Sequence, residues 1–391
     1  MSRDNRYTLY IYYLSFFSGK MQAYLRYKEV PHRIIEPKWG EVLDLIYPNT
    51  GLMKVPVIQT PEGRWLADTT PMIDWFEARF PAGAVLPDDP YQAFFSRLLE
   101  DYADEWLWRP ALYYRFGVQP DADLLSRRYA ATFLSDAPLP RWLIALQAVQ
   151  RSRKAYVDGD GVNSETKAHV ESIFLNTLDR LQEMFEARPF MLGGRPSLAD
   201  FGFFASMFRH GALDPTPSLL MLERAPAVYE WVGRMWNARH SKIAGKWASA
   251  GEVPQDWNPI LKDIGEAYLP YLHANAIAYR EGRRRFDLLI QGVRYRAFNV
   301  SPYRVWCRER LQDHLAAVPA GARPAVKATL NSSDCLEPLQ RDGRIESGLY
   351  RDVTPPVCRT RKVRMMEKLV LYFSGTTHWF QPRASQGYFP M

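Results

Sequence analysis

Residues 7–13 read YTLYIYY, with Leu9, Ile11 and Tyr13 on one face and Thr8, Tyr10 and Tyr12 on the other. Aromatic and β-branched residues in strict alternation predict a strand. A turn follows from Ser15 to Gly19. From Lys20 to Lys28 the spacing of Met21, Tyr24 and Leu25 predicts a helix. Val30-Pro31 ends it, because a residue before proline disfavours the helical region. His32–Glu36 is a second strand, expected to run parallel to the first, and a long connection through Trp39 and Asn49 comes after it. Val55-Pro56-Val57-Ile58 begins a third strand. Pro61-Glu62-Gly63-Arg64 turns it into a short fourth one, Trp65-Leu66-Ala67. Asp68-Thr69-Thr70-Pro71 then starts a helix through Glu77, with a threonine cap and a proline in its first turn. The order is βαβ followed by ββα.

A proline- and aspartate-rich linker, 81–90, separates this unit from a helical one. Phe94, Phe95, Leu98, Leu99, Tyr102 and Trp106 recur at helical spacing, and a second long helix is expected from Glu165 to Phe185. Ser197-Leu198-Ala199-Asp200 has the form of a capping box, and Ala225-Pro226 to Asn237 is a further helix. Beyond Asp256 the pattern changes. Ile260–Tyr279 predicts a long helix, Phe286–Val300 a hairpin about Gln291-Gly292, and Pro302–Leu315 another helix. After Arg341 there is little periodicity, with many arginines and scattered prolines. The expected divisions are 1–82, 91–250, an extension of helix, hairpin and helix over 256–340, and a poorly ordered tail over 341–391, in which Leu369–Phe373 could form a short strand.

Composition narrows the classes. Of 391 residues, 47% are hydrophobic and 24% charged, a balance that excludes a chain disordered throughout. No apolar run approaches the roughly 18–20 residues of a membrane span, and the N-terminal stretch lacks the charged-apolar-small order of a secretory signal. Three cysteines, Cys307, Cys335 and Cys358, form neither a disulfide framework nor a zinc site, so a reducing cytoplasm is the default. His32, His169, His210 and His240 are scattered without ligand spacing, and no metal is expected. The net charge of +7 is concentrated around Arg280–Arg296 and Arg359–Arg364. Without a recognition module it reads as a solvated basic face, with no nucleic-acid partner.

Four local patterns carry a family resemblance. Ser15-Phe16-Phe17-Ser18-Gly19-Lys20, after the first strand, resembles the serine-type active-site turn of the cytosolic glutathione transferases, with Phe16 where proline is usual. Lys54-Val55-Pro56-Val57-Ile58 is similar to that family's Val-Pro with a cis bond. Asp68-Thr69-Thr70-Pro71-Met72-Ile73-Asp74-Trp75-Phe76-Glu77 resembles its Glu-Ser helix start, with Asp and Thr in place of Glu and Ser. Pro196–Phe201 resembles its capped helix in the second domain. The resemblance covers about residues 7–245. It implies an α/β thioredoxin-like N-terminal domain and an all-α glutathione transferase C-terminal domain, here followed by an α+β C-terminal extension.

What it implies chemically can be stated residue by residue. Glutathione is an anionic tripeptide whose thiol must become a thiolate to attack. Asp68 is the candidate for its γ-glutamyl ammonium, and Thr69 at the helix start for the α-carboxylate, though a plain helix cap explains Thr69 equally well. Val55, before Pro56, would pair with the cysteinyl backbone. Lys54 could reach the glycyl carboxylate, or be a solvated loop lysine. Ser15 is the candidate thiolate donor. Ser18 is expected as the N-cap, Lys20 as added positive potential or a solvating charge, and Tyr13 as an alternative hydroxyl or a core residue. Tyr102, Trp106, Trp108, Tyr113 and Tyr114 line the start of the second domain as core or as pocket, with Arg109 and Arg115 placed to meet an acidic or electron-poor second substrate. The implied activity is attack of glutathione, as co-substrate, on a small hydrophobic electrophile in detoxification-type chemistry, with a homodimer as one assembly. The alternative is a non-catalytic binding or scaffold protein that kept the fold.

Overall fold

The computed structural model describes residues 5–136, 140–350 and 355–358. The first unit is a four-stranded sheet in the order β2-β1-β3-β4, built from β1 Tyr7–Tyr10, β2 His32–Ile35, β3 Val57–Gln59 and β4 Trp65–Ala67. β1 runs parallel to β2, with Leu9 opposite Ile34, and antiparallel to β3, with Leu9 opposite Ile58. α1 (Phe16–Tyr27) connects β1 to β2, and α2 (Thr69–Glu77) follows β4. This is the βαβ–ββα order read from the pattern. Two details differ. The connection after β2 is itself helical, in three short pieces, Trp39–Glu41, Val42–Ile46 and Tyr47–Thr50. α1 starts four residues earlier than its apolar stripe suggests, because Ser15 occupies the N-cap and Lys20 is buried rather than solvated.

The second unit is helical: α3 (Pro90–Glu105), α4 (Trp108–Gly117), α5 (Gln119–Ala131), α6 (Arg141–Ser152), α7 (Lys167–Ala187), α8 (Leu198–Ser206), α9 (Pro215–Arg224) and α10 (Pro226–Asn237). The capping box at Ser197 forms, and Asp200 also accepts from the Met191 amide at 2.9 Å and from the Trp231 indole at 3.2 Å. Gly202 lets α8 lie directly on α3, since a Cβ there would stand 2.7 Å from the Glu100 Cα.

α3 is buried nearly all round, and four carboxylates go in with it: Glu100, Asp101, Asp104 and Glu105. Each meets a donor from a different part of the chain. The Lys20 ammonium of α1 lies 2.5 Å from Glu100 and also bonds Asp104, and Thr70 of α2 donates to Glu100 at 2.7 Å. Burial alone would lower the Lys20 pKa, but the carboxylates of Asp104 and Glu100 raise it above the usual lysine value, so it stays charged. The Tyr268 hydroxyl donates to Asp101 at 2.5 Å, and the Arg304 guanidinium lies 3.5 Å from Glu105.

Tyr268 and Arg304 belong to the extension. Its first helix runs from Asn258 through a wider π turn at Ile264–Tyr268 into α11 (Leu269–Arg280). Pro270 sits just past that turn and has no N–H for the regular ladder. The hairpin pairs β5 (Arg285–Ile290) with β6 (Val293–Asn299) about Gln291-Gly292, both at positive φ, the geometry of a two-residue primed turn. Its face of Phe286, Ile290, Tyr295 and Phe298 is buried, and Phe298 packs edge-on to Tyr271 at 5.1 Å. α12 (Pro302–Ala317) and α13 (Arg323–Ser332) pack against α3, and a short helix, Leu336–Gln340, follows them.

The tail expected to fray from 341 does not do so at its start. Ile345 and Ser347 are buried, and the Ser347 hydroxyl donates to Glu309 at 2.6 Å. The segment 355–358 lies antiparallel along the free edge of β4, with Ala67 N–H donating to Pro356 at 2.9 Å and Cys358 N–H to Trp65 at 2.8 Å. Unpaired edge groups find partners there, which composition alone does not foretell. The expected strand at Leu369–Phe373 lies outside the described residues.

The Lys20 triad gives a stability test. Replacing Lys20 with Met leaves Glu100 and Asp104 buried without their cation, which should cost about 3–5 kcal/mol in urea unfolding. An exposed lysine with only a solvating role would give a change near zero.

Candidate functional site

The residues that read as chemistry are brought together by the loop before β3, the turn after β4, three helix starts and one helix end. Gly51, left-handed at φ 73, ends the short helical run and turns the chain into 52–56. The Val55–Pro56 bond is cis, and β3 begins immediately after it. On the neighbouring strand, β4 ends at Ala67. Asp68 then stands at φ 74, a strained conformation for a non-glycine residue, before Thr69 opens α2. Phe17 comes from the first turn of α1, Glu105 from the last turn of α3, and Tyr303 from the first turn of α12.

These segments enclose a cavity of about 100 Å³, lined by Phe17, Leu52, Lys54, Val55, Pro56, Val57, Ala67, Asp68, Thr69, Glu105 and Tyr303. Five of the six sequence-nominated residues, Lys54, Val55, Pro56, Asp68 and Thr69, therefore share one wall. Ser15 is not among the lining residues. Its hydroxyl takes the Ser18 amide at a long 3.4 Å as the N-cap of α1. Ser18, expected in that role, is instead fully buried and accepts the Tyr12 amide at 3.2 Å. Ser15 thus takes the cap role read for Ser18, while Ser18 serves the backbone at Tyr12. Tyr13 is neither core nor cavity wall: it is exposed, with the Arg209 guanidinium 5.4 Å from its ring.

Asp68 does not cap α2. Its carboxylate accepts from the Tyr303 hydroxyl, 3.1 Å from each oxygen, and from the Tyr350 hydroxyl at 2.7 Å. Burial raises its pKa, opposed by those two hydroxyls. Burial also raises Glu105, to about 7, opposed mainly by Arg304. Lys54 is lowered to about 7 by burial, opposed by the charges of Asp68 and Glu105. The cavity thus holds a lysine and a glutamate that burial moves to about 7 and an aspartate whose pKa burial raises, beside an apolar wall and the N-terminus of α2. Such a set suits a small dipolar ligand carrying both an ammonium and carboxylates.

The arginines proposed to meet a second substrate do not face a pocket. Arg109 is fully buried, 2.7 Å from Asp160 and over the Trp106 ring at 4.2 Å. Arg115 is buried and grips Asp214 at 2.7 Å and the Arg209 carbonyl at 2.6 Å. Tyr102, Trp106, Tyr113 and Tyr114 are core, and Trp108 is half-buried. Tyr303 and Tyr350 went unrecognised in the sequence because each makes its contact across more than 230 residues.

Residues 9–84 match the family model of the glutathione S-transferase N-terminal domain, and residues 148–234 that of the glutathione S-transferase C-terminal domain. The first two units thus match the two domains of a glutathione S-transferase. No curated protein sequence matches it. Among solved structures, the beta-etherase LigF from Sphingobium sp. strain SYK-6 is similar at 20% identity, over 59% of this chain and 94% of that one, with a TM-score of 0.42. A glutathione S-transferase from Rhodospirillum rubrum F11 is similar at 18% identity, over 58% and 86%, with a TM-score of 0.39. FzlA from C. crescentus is similar at 16%, over 59% and 87%, with a TM-score of 0.39. The glutathione S-transferase domains take up the first two units, and the extension from Asp256 lies beyond both matched ranges. Among the described residues no helix is long and apolar enough to cross a membrane, and no cluster of His, Cys, Asp or Glu could hold a metal ion.

The placement of the two serines can be tested by stability alone. Ser15→Ala should cost about 1 kcal/mol as a lost cap. Ser18→Ala leaves the buried Tyr12 amide without its acceptor and should cost more, about 1–3 kcal/mol. Equal losses in urea titrations would contradict the placement of the two hydroxyls.

Proposed function

We propose that this chain binds glutathione in the cavity beside α2 and that the glutathione thiolate attacks a small apolar electrophile. The observation that carries the reading is the convergence of Lys54, Val55, Pro56, Asp68 and Thr69 on a single cavity. Asp68 would take the γ-glutamyl ammonium, and Thr69 with the N-terminus of α2 the adjoining carboxylate. The Val55 backbone would pair with the cysteinyl unit, and the Lys54 ammonium would hold the glycyl carboxylate. Phe17 lines the cavity, so the N-terminus of α1 borders it. That end, with the Ser15 hydroxyl, is where a thiolate would be favoured over a thiol. Glutathione is a co-substrate in this reading, and a reducing cytoplasm is where it would be plentiful.

One observation favours a second reading, a glutathione-binding protein without turnover. The Ser15 hydroxyl already serves as the α1 cap, and the side-chain hydroxyls lining the cavity are those of Thr69 and Tyr303. Under that reading glutathione binds, no electrophile is consumed, and Ser15→Ala changes stability only.

Titration calorimetry with glutathione and turnover of a chromogenic aryl halide separate the two. The transferase reading expects millimolar or tighter binding and measurable conjugation. Asp68→Asn should weaken binding by about 1.5–3 kcal/mol, the scale of a hydrogen bond to a charged group. No heat at millimolar glutathione, from the wild-type chain and from Tyr303→Phe/Tyr350→Phe alike, would reject both readings.

Lys54 predicts a pH dependence. With its pKa lowered to about 7, it is cationic below neutrality and loses its charge above it. Affinity for a carboxylate should therefore fall as pH rises from 6 to 8.5. Lys54→Arg, which stays charged, should flatten the profile. An identical slope in both proteins would remove Lys54 from the binding site.

A further inference from the structure

The same cavity is smaller than its proposed ligand requires. Pockets for ligands of drug size are roughly 300–1,000 Å³, and this one is about 100 Å³. What fills the difference belongs to the chain itself. Tyr303 and Tyr350 both donate to the Asp68 carboxylate, so two hydroxyls stand where the ligand's ammonium would donate. Trp306 lies between their rings, 5.2 Å from Tyr303 and 5.0 Å from Tyr350, so the two hydroxyls are positioned as one unit. Tyr350 itself is at φ 60, a conformation that a bulky residue rarely adopts.

The segment carrying Tyr350 is anchored on both sides of the contact. Before it, the Tyr279 hydroxyl donates to the Ser347 carbonyl at 2.7 Å, and Ile345 is buried. After it, residues 356–358 pair with β4 through the Ala67 amide, one residue from Asp68. The extension thus closes over the carboxylate from two directions.

We propose that residues 345–350 and 355–358 form an autoinhibitory strap, with Tyr350 and Tyr303 occupying Asp68 until glutathione displaces them; this rests on the glutathione reading above. An ionised carboxylate has about four acceptor sites, and the two hydroxyls engage both oxygens. The hydroxyls are neutral donors. An ammonium is a charged one and makes the stronger bond, so ligand can compete. The strap then divides the protein between a closed form and a competent one, and the apparent dissociation constant exceeds the intrinsic one by the reciprocal of the competent fraction. Removing a tyrosine hydroxyl leaves the closed form with an under-satisfied carboxylate and shifts the balance toward the competent form.

The test uses the full chain. Glutathione binding is measured by calorimetry for the wild type, Tyr350→Phe and the double variant Tyr303→Phe/Tyr350→Phe. Phenylalanine keeps the rings packed on Trp306. Hydrogen exchange at the Ala67 and Cys358 amides is followed in the wild type with and without saturating glutathione. The strap predicts binding about tenfold tighter or more in the variants, and faster exchange at both amides when glutathione binds. Should a variant fail to fold, the wild-type exchange result decides. If the wild type binds glutathione, the variants bind no tighter and the two amides stay protected, the strap is overturned and the glutathione reading stands. If neither the wild type nor the double variant binds, the glutathione reading fails and the strap fails with it.

Discussion

Everything in this chain is arranged around one costly element, the helix Pro90–Glu105. It buries Glu100, Asp101, Asp104 and Glu105 within its last two turns. A carboxylate taken out of water without a partner costs several kcal/mol even after relaxation, so a helix carrying four cannot exist alone in its buried setting. The N-terminal unit supplies Lys20 and Thr70, and the extension supplies Tyr268 and Arg304. The acidic helix is therefore the common partner of both. It ties the sheet domain, the helical domain and the extension into one body through specific donors as well as apolar packing.

That constraint has a consequence for the cavity. Arg304 has to lie against Glu105, and it also reaches Asp160 at 3.3 Å. Tyr303 precedes it in the first turn of the same helix, so the ion pair that anchors Pro302–Ala317 also carries Tyr303 to Asp68. Farther along that helix, Arg310 reaches Asp74 of α2 at 3.1 Å. The extension is thus registered against α2 by two points, one at the helix start and one in its second turn. Occupation of the cavity by the extension follows from how the acidic helix is neutralised.

Legibility in the sequence divides along the range of the interaction. Strands, the hairpin and the capping box were readable because alternation, the Gln291-Gly292 turn and the Ser197–Asp200 spacing are local. The residues of one cavity wall were readable because the Val-Pro and Asp-Thr patterns sit at the ends of adjacent strands. The roles that depend on distant partners were not. Lys20 is polar in any periodic reading, and its burial depends on carboxylates 80 and 84 residues away. Placing Lys20 outside moved the helix start to it, and so Ser18, not Ser15, looked like the cap. Arg109 and Arg115 failed in the same way: an arginine among aromatics reads as a reach toward ligand, while here each is consumed by a buried aspartate. The segment after Arg341 shows no period because its residues dock one by one on different elements: Ile345 packs with Ala276 and Val305, Ser347 bonds Glu309, Tyr350 bonds Asp68 and Val357 bridges to Leu66.

The charge set of the cavity also bears on what such a strap can sense. Lys54, Asp68 and Glu105 line one small volume, so the ionisation of each alters the field at the others. Burial pushes both carboxylates toward their neutral forms and Lys54 toward its own. The closed cavity therefore suppresses charge on all three, while the tyrosine hydroxyls favour the charged form of Asp68 alone. A ligand bringing an ammonium and a carboxylate would favour the charged forms of Asp68 and Lys54 together. Opening of the strap and ionisation of the wall are then parts of one equilibrium, because solvent or ligand reaching Asp68 removes the desolvation that holds its pKa up.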